Sequence, residues 1–252
     1  MKLNFPLLWI GLIFLVTIRC SANSELNTET PEMEIDDQTK PDDTNPENQS
    51  TLKILSLGDS YTIGESVCAT CRFPEQLKDS IKEKIADREV ELKVIARTGW
   101  TTTALKSAIS NETLAEDYDL ATLLIGVNNQ YQRRPFDVFE KEFPELVSEA
   151  IKYASGKKAN LIVISIPDYA FTPFGNGNSS ISQDINIYNN YIEDYCKQYS
   201  ITYVFITDIT RQGLENPNLV ASDGLHPSTF AYTQFVSRML PSALEKIGYT
   251  TD

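Results

Sequence analysis

Five short apolar runs rich in β-branched residues recur along the chain, separated by amphipathic stretches, and this alternation limits the fold more than any other feature. The runs are Leu52–Leu57, Leu92–Ala96, Leu120–Gly126, Leu161–Ile166 and Ile201–Ile206. Each is nearly continuous in hydrophobicity, as expected of strands covered on both faces. Between and after them lie Pro74–Ala86, Thr102–Ile109, Phe136–Ala154, Gln183–Tyr199 and Thr229–Ile247, all with helical spacing of apolar residues. Strands alternating with helices predict an α/β fold: a three-layer α/β/α sandwich around a five-stranded parallel sheet. No internal repeat is visible.

In such sheets ligands bind beyond the carboxyl ends of the strands. The residues there read Gly58-Asp59-Ser60, Arg97-Thr98-Gly99-Trp100 and Gly126-Val127-Asn128-Asn129. The fourth strand leads into Pro167-Asp168 and a loop rich in Gly, Asn and Ser that runs to about Ser182. The fifth leads, after a long loop, to Asp223-Gly224-Leu225-His226-Pro227.

His226 is the chain's single histidine. A carboxylate three residues before it can reach Nδ1, fix the tautomer and leave Nε2 as a base. The same pattern also suits a surface pair with Asp223 as a helix cap. Ser60, two residues beyond a strand end, can face the open end of the sheet. It can equally be an ordinary strand-to-helix turn, and it is not in a G-x-S-x-G elbow, because position 62 is threonine. Acyl transfer needs donors aimed at a developing oxyanion. The N–H of Gly99, unobstructed by a side chain, and the amide of Asn128 can supply them. Trp100, Asn129 and Tyr131 are candidate pocket residues, with Phe171 and Phe174 on nearby loops. Tyr188, Tyr191, Tyr195 and Tyr199 repeat at near-helical spacing and suit a packed face.

Taken together, these four blocks resemble the SGNH (GDSL-type) hydrolase family. GDSY at 58–61 is similar to its first block, RTGW at 97–100 to the second, GVNN at 126–129 to the third and DGLHPS at 223–228 to the last. The resemblance covers about 53–240. It departs at Tyr61, where the family name has leucine, and at Asn129, where aspartate is common. It implies a flavodoxin-like sheet and a serine esterase: Ser60 as nucleophile, His226 as base, Asp223 as its partner. The Ser60 and Gly99 N–H groups and the Asn128 amide would form the oxyanion hole. No metal or organic cofactor is implied. Within the family the substrate could be a carbohydrate ester, a short-chain ester, a lysophospholipid or a thioester. A non-catalytic glycan- or lipid-binding module on the same fold is the competing reading.

The ends of the chain carry a separate message. Lys2 precedes an apolar run from Leu3 to Ile18 that is short for a membrane span and suits an export signal over residues 1–20. Cys20 resembles the lipid-modified cysteine of bacterial lipoproteins, although Arg19 fits that pattern badly. Cleavage after Ala22 and an uncleaved anchor are the alternatives. Residues 21–50 hold three prolines and no aromatic residue, and read as a disordered acidic tether. The domain occupies 51–252. These features predict an exported protein, in the periplasm, at the cell surface or secreted, with a membrane tether through its N-terminus as one option.

The formal charge of −13 argues against nucleic acid as a partner; a small-molecule or glycan ester fits better. Export allows a disulfide between Cys68 and Cys71. A single histidine with one C-x-x-C does not make a zinc site. A thiol–disulfide oxidoreductase would start its C-x-x-C helix right after a strand, whereas Cys68 lies about ten residues further on. Cys196 falls on a helical stripe and reads as a buried, inert thiol.

Overall fold

The structure, a computed structural model, describes residues 51–249. The expected export signal, the expected tether and Cys20 lie outside the described residues. Strands β1 (Leu52–Gly58), β2 (Val90–Ala96), β3 (Leu120–Leu124), β4 (Leu161–Ile164) and β5 (Thr202–Val204) form one sheet of order β2-β1-β3-β4-β5. Every pairing is parallel. The five predicted strands are thus present, with β3, β4 and β5 ending two residues earlier than their apolar runs.

The long helices are α2 (Phe73–Lys84), α3 (Thr102–Ser110), α5 (Phe136–Tyr153), α6 (Ser179–Tyr199) and α8 (Thr229–Lys246). Short helices α1 (Ser60–Ile63), α4 (Val127–Tyr131) and α7 (Thr207–Thr210) follow β1, β3 and β5. Helices α2 and α8 pack together, α3 packs on α5, and α5 meets α6 through aromatic contacts. Strands β1, β3 and β4 are buried on both faces, which explains their unbroken apolar runs. Edge strand β2 differs. Of its seven residues only Ile95 is buried, and Glu91 and Lys93 point to solvent. Its sequence alternates accordingly, so the two-sided cover expected of all five strands fails there.

The tyrosine stripe of α6 is a packed face. Tyr188 meets Phe136 and Phe139, and Tyr191 and Tyr195 meet Phe143. Cys196 is buried, and burial pushes its thiol up to about 12, far from reactive thiolate. Among the described residues no helix is long and apolar enough to cross a membrane.

The sheet order reverses direction between β1 and β3. That switch point opens a crevice at the carboxyl ends of the two strands. Gly58 closes β1 where nothing larger fits: a Cβ there would lie 2.1 Å from Thr62 Oγ1 and 2.4 Å from the Leu124 carbonyl oxygen.

Candidate active site

Asp59 turns the chain from β1 into α1. Its carboxylate caps the helix by accepting from the Tyr61 N–H at 3.0 Å. Ser60 follows as the first residue of α1, 4% exposed. Its N–H is one of the donors that a helix start leaves unpaired.

Across the switch point, α4 presents Asn128 and Asn129. Neighbours on a helix point about 100° apart, and the two amides part company. Asn128 Nδ2 donates to Asp59 Oδ2 at 3.3 Å, which leaves its second hydrogen for the cavity. Asn129 is fully buried. It accepts from the Thr102 N–H at 3.0 Å and donates to Thr102 Oγ1 at 2.7 Å, so it caps α3. Gly99 adopts a left-handed φ of +83°, with open space where a side chain would sit. It is a glycine for its conformation, not for want of room. Among the described residues, neither the Gly99 nor the Ser60 N–H has an acceptor.

The loop before α8 brings the acid and the imidazole. Asp223 Oδ2 lies 2.6 Å from His226 Nδ1, while Oδ1 accepts the N–H groups of Leu225 (2.9 Å) and His226 (3.0 Å). Ser66, from the loop after α1, donates to Oδ2 at 2.6 Å. Partial burial works against the charge of Asp223. The bonds from Ser66, the His226 ring and the two N–H groups outweigh it and hold the carboxyl well below the usual carboxylate range. With Nδ1 so engaged, His226 Nε2 has no partner among the described residues.

Ser60, Gly99, Asn128 and His226 line one cavity of about 190 Å³, together with Tyr131 and Phe174. No hydrogen bond joins Ser60 to His226 in this structure, a gap common before substrate closes a site. Two candidate pocket residues lie elsewhere. Trp100 packs half-buried against the core, and Asn129 is sealed beneath α3; neither lines the cavity. Phe171 also stays outside it, whereas Tyr131 and Phe174 are half exposed at its rim.

Three contributors were not singled out by sequence reasoning. Tyr61, the departure from leucine, sets its ring 5.3 Å from that of His226 at a 54° tilt. Ser66 reaches Asp223 across 157 positions. Asp59 is wholly buried, and burial pushes its carboxyl up to about 7 against the bonds from Tyr61 and Asn128. The spacing of Asp59 next to a candidate nucleophile was the one available signal for it.

Cys68 and Cys71 are joined by a disulfide at a short 3-10 turn. Gln76 donates to the Cys71 carbonyl at 2.5 Å and to the Thr229 carbonyl at 3.3 Å, and accepts from Thr233 at 2.8 Å. The disulfide loop is thereby tied to α8. Among the described residues, no group of three or more His, Cys, Asp or Glu could hold a metal ion.

Comparison with known proteins adds a sequence and a shape. The family model described as the GDSL-like Lipase/Acylhydrolase family matches residues 56–234. The fold is similar to Axe2, an acetylxylan esterase from Geobacillus stearothermophilus, at 18% identity and TM-score 0.60, covering 80% of this chain and 96% of that one. It is also similar to a member of the lipolytic protein G-D-S-L family from Veillonella parvula, at 17% identity and TM-score 0.60, covering 76% and 97%. A third likeness is to TesA, at 12% identity and TM-score 0.59, covering 77% and 99%. Among curated proteins no sequence matches.

Proposed function

We propose, for a chain that belongs to the GDSL-like lipase/acylhydrolase family and is an ester hydrolase, that Ser60, His226 and Asp223 form its catalytic triad and that a short acyl group is its cargo. One observation carries the reading: Ser60, the unpaired Gly99 N–H, the Asn128 amide and an imidazole bonded to Asp223 all face a single cavity.

Ser60 Oγ attacks the ester carbonyl carbon while His226 Nε2 takes its proton. The carbonyl oxygen becomes an oxyanion, held by the Ser60 and Gly99 N–H groups and by Asn128 Nδ2. His226 returns the proton to the leaving alcohol, and an acyl-serine remains. Water then attacks it, His226 again moving the proton, and the acid departs with Ser60 restored. Asp223, kept ionised by its four donors, orients the ring and stabilises its charged form. Asp59 positions the Asn128 amide from behind.

The size of the cavity supports a short acyl chain. About 190 Å³ falls below the roughly 300–1,000 Å³ of pockets that enclose drug-sized ligands. The apolar run at residues 3–18 and the acidic stretch 21–50 support export ahead of this domain, with Cys20 as a lipid anchor.

A fluorophosphonate probe and a chain-length series of p-nitrophenyl esters test the reading. Labelling at Ser60, with turnover falling from acetate to octanoate, is expected. Full turnover by a purified Ser60→Ala protein would refute it.

A further inference from the structure

Beside the catalytic cavity lies a second, wider cleft of about 570 Å³. The two share three aromatic residues: Tyr131, Tyr169 and Phe174 line both. Their rings touch one another, with centroids 6.0, 6.1 and 6.2 Å apart. Tyr131 and Phe174 are 54% and 53% exposed, and because they adjoin one another they form a contiguous aromatic patch and not two scattered rings. Tyr169 is anchored, donating to Gln130 Oε1 at 2.7 Å, while Gln130 donates on to Asp184 Oδ2 at 3.0 Å.

The charged residues of this cleft are Arg133, Arg134 and Asp184. Asp184 is already engaged by Gln130. Neither guanidinium has a partner among the described residues, a state they share with Arg97, whereas Arg72, Arg211 and Arg238 are engaged by carboxylates. Both arginines are exposed. Arg133 also sits at φ +55°, a left-handed position just after α4 that glycine or asparagine would fill with less strain. Local chain geometry therefore gives no reason for arginine there. Recognition of an anion does, since a planar guanidinium pairs well with a carboxylate. The net negative charge of the chain does not oppose this, because screening over about 8 Å leaves only near charges to act.

Resting on the triad reading above, we propose that this cleft is the subsite for the alcohol part of the ester, and that this part is an acidic glycan. Sugar rings stack on Tyr131 and Phe174, and a uronate carboxylate pairs with Arg133 and Arg134. The aromatic shelf then places an O-acyl group of that sugar over Ser60. A lining that mixes apolar rings with Arg133, Arg134, Asn178 and Ser180 favours a sugar over the tail of a lysophospholipid, which needs a continuous apolar channel.

Two measurements test this. In the first, the kcat/KM of the wild type is compared on an O-acetylated oligogalacturonide and on a neutral O-acetylated xylooligosaccharide of equal length. The acidic substrate is expected to be favoured about threefold to fivefold, the weight of an exposed ion pair. The ratio should fall towards one in an Arg133→Gly/Arg134→Gln double variant, whose thermal midpoint should not drop. An unchanged ratio in the variant would overturn the proposal. So would a preference for the neutral substrate, or arginine-dependent turnover confined to lysophospholipids. In the second, the Ser60→Ala protein is titrated calorimetrically with unacetylated oligogalacturonide, which probes the subsite without catalysis. Binding that Arg133→Gly/Arg134→Gln weakens supports the subsite even if the triad assignment fails. Absence of binding in both proteins overturns it even if the triad holds.

Discussion

The two flanks of the candidate active-site cavity are built on opposite plans. On one side stand Asp223, His226 and the disulfide loop. There Ser66 bonds to Asp223, Thr98 to Glu65, and Gln76 bridges the Cys71 and Thr229 carbonyls. Asp223 alone accepts four hydrogen bonds. On the other side, Tyr131 and Phe174 lie half exposed, and the adjoining cleft carries Arg133 and Arg134, which have no partner among the described residues. Proton transfer needs a fixed imidazole, and convergent bonds fix it. Recognition needs groups whose partners arrive with the ligand. On the proposed reading, the contrast teaches that the fold over-determines the chemistry and leaves the choice of substrate to a few exposed side chains.

The sharpest way to break this comparison is to remove the proposed reacting groups. Ser60→Ala or His226→Ala should lower kcat by roughly 10³-fold or more on every ester, acidic or neutral alike, with thermal stability preserved. A loss that depended on the substrate would put these residues on the recognition side. Asn128→Ala comes next. Losing one oxyanion donor should cost about 10²–10³ in kcat with little change in KM. Steady-state kinetics that showed a KM effect alone would remove Asn128 from the oxyanion hole.

Asp59 sharpens the comparison from beneath, because it ties the nucleophile turn to the oxyanion amide. Asp59→Asn leaves one acceptor oxygen for two donors, so the Asn128 amide and the Tyr61 N–H must compete for it. We expect kcat to fall by about tenfold, less than for Asn128→Ala, since the amide is displaced and not deleted. The same substitution should alter stability against pH. The folded pKa of about 7 exceeds the reference of 3.8, so the native state binds the extra proton between those values. Stability from Asp59 is present in full below about 3.8 and declines as pH rises through 7. Asp223 has the opposite sign: its depressed pKa contributes stability above 3.8 that is lost as pH falls. A thermal-midpoint profile from pH 4 to 7 should therefore flatten in Asp59→Asn. A profile unchanged in slope would show that Asp59 ionises freely.

Much of this arrangement is legible in the sequence, for reasons of range. Parallel strands buried on both faces must be apolar throughout, so β1, β3 and β4 announce themselves. Their order places Ser60, Gly99, Asn128 and His226 at one rim without further information. The edge strand β2 was legible as a strand, but its exposed face was not, because edge position is a property of the sheet. The short helices α1, α4 and α7 are too brief for periodicity to register. Adjacent asparagines at 128 and 129 look equivalent in sequence, and only the helix that carries them turns one to the cavity and the other beneath α3. The Ser66–Asp223 bond spans 157 positions and leaves no local trace. Trp100 shows the converse failure: a large ring beside a candidate oxyanion glycine invites a pocket role, yet it packs against the core.

The smallest expected effect concerns the disulfide loop, and it probes how far the rigid wall extends. Ser66→Ala removes one of four donors to Asp223, and the other three still hold the carboxylate. A fall in kcat of about threefold is expected, the size of a single neutral hydrogen bond among several. The acid limb of stability, where Asp223 takes up its proton, should also move to higher pH, because a donor that favoured the charged carboxyl is gone. If the Cys68–Cys71 link acts by holding this loop, Cys68→Ser/Cys71→Ser should have a similar small effect. Its combination with Ser66→Ala should then cost little more than either alone, since both would sever the same connection. Additive losses would mean that the disulfide serves the contact of Gln76 with α8 and not the acid. The rigid wall would then be two independent braces, one at Asp223 and one at the start of the last helix.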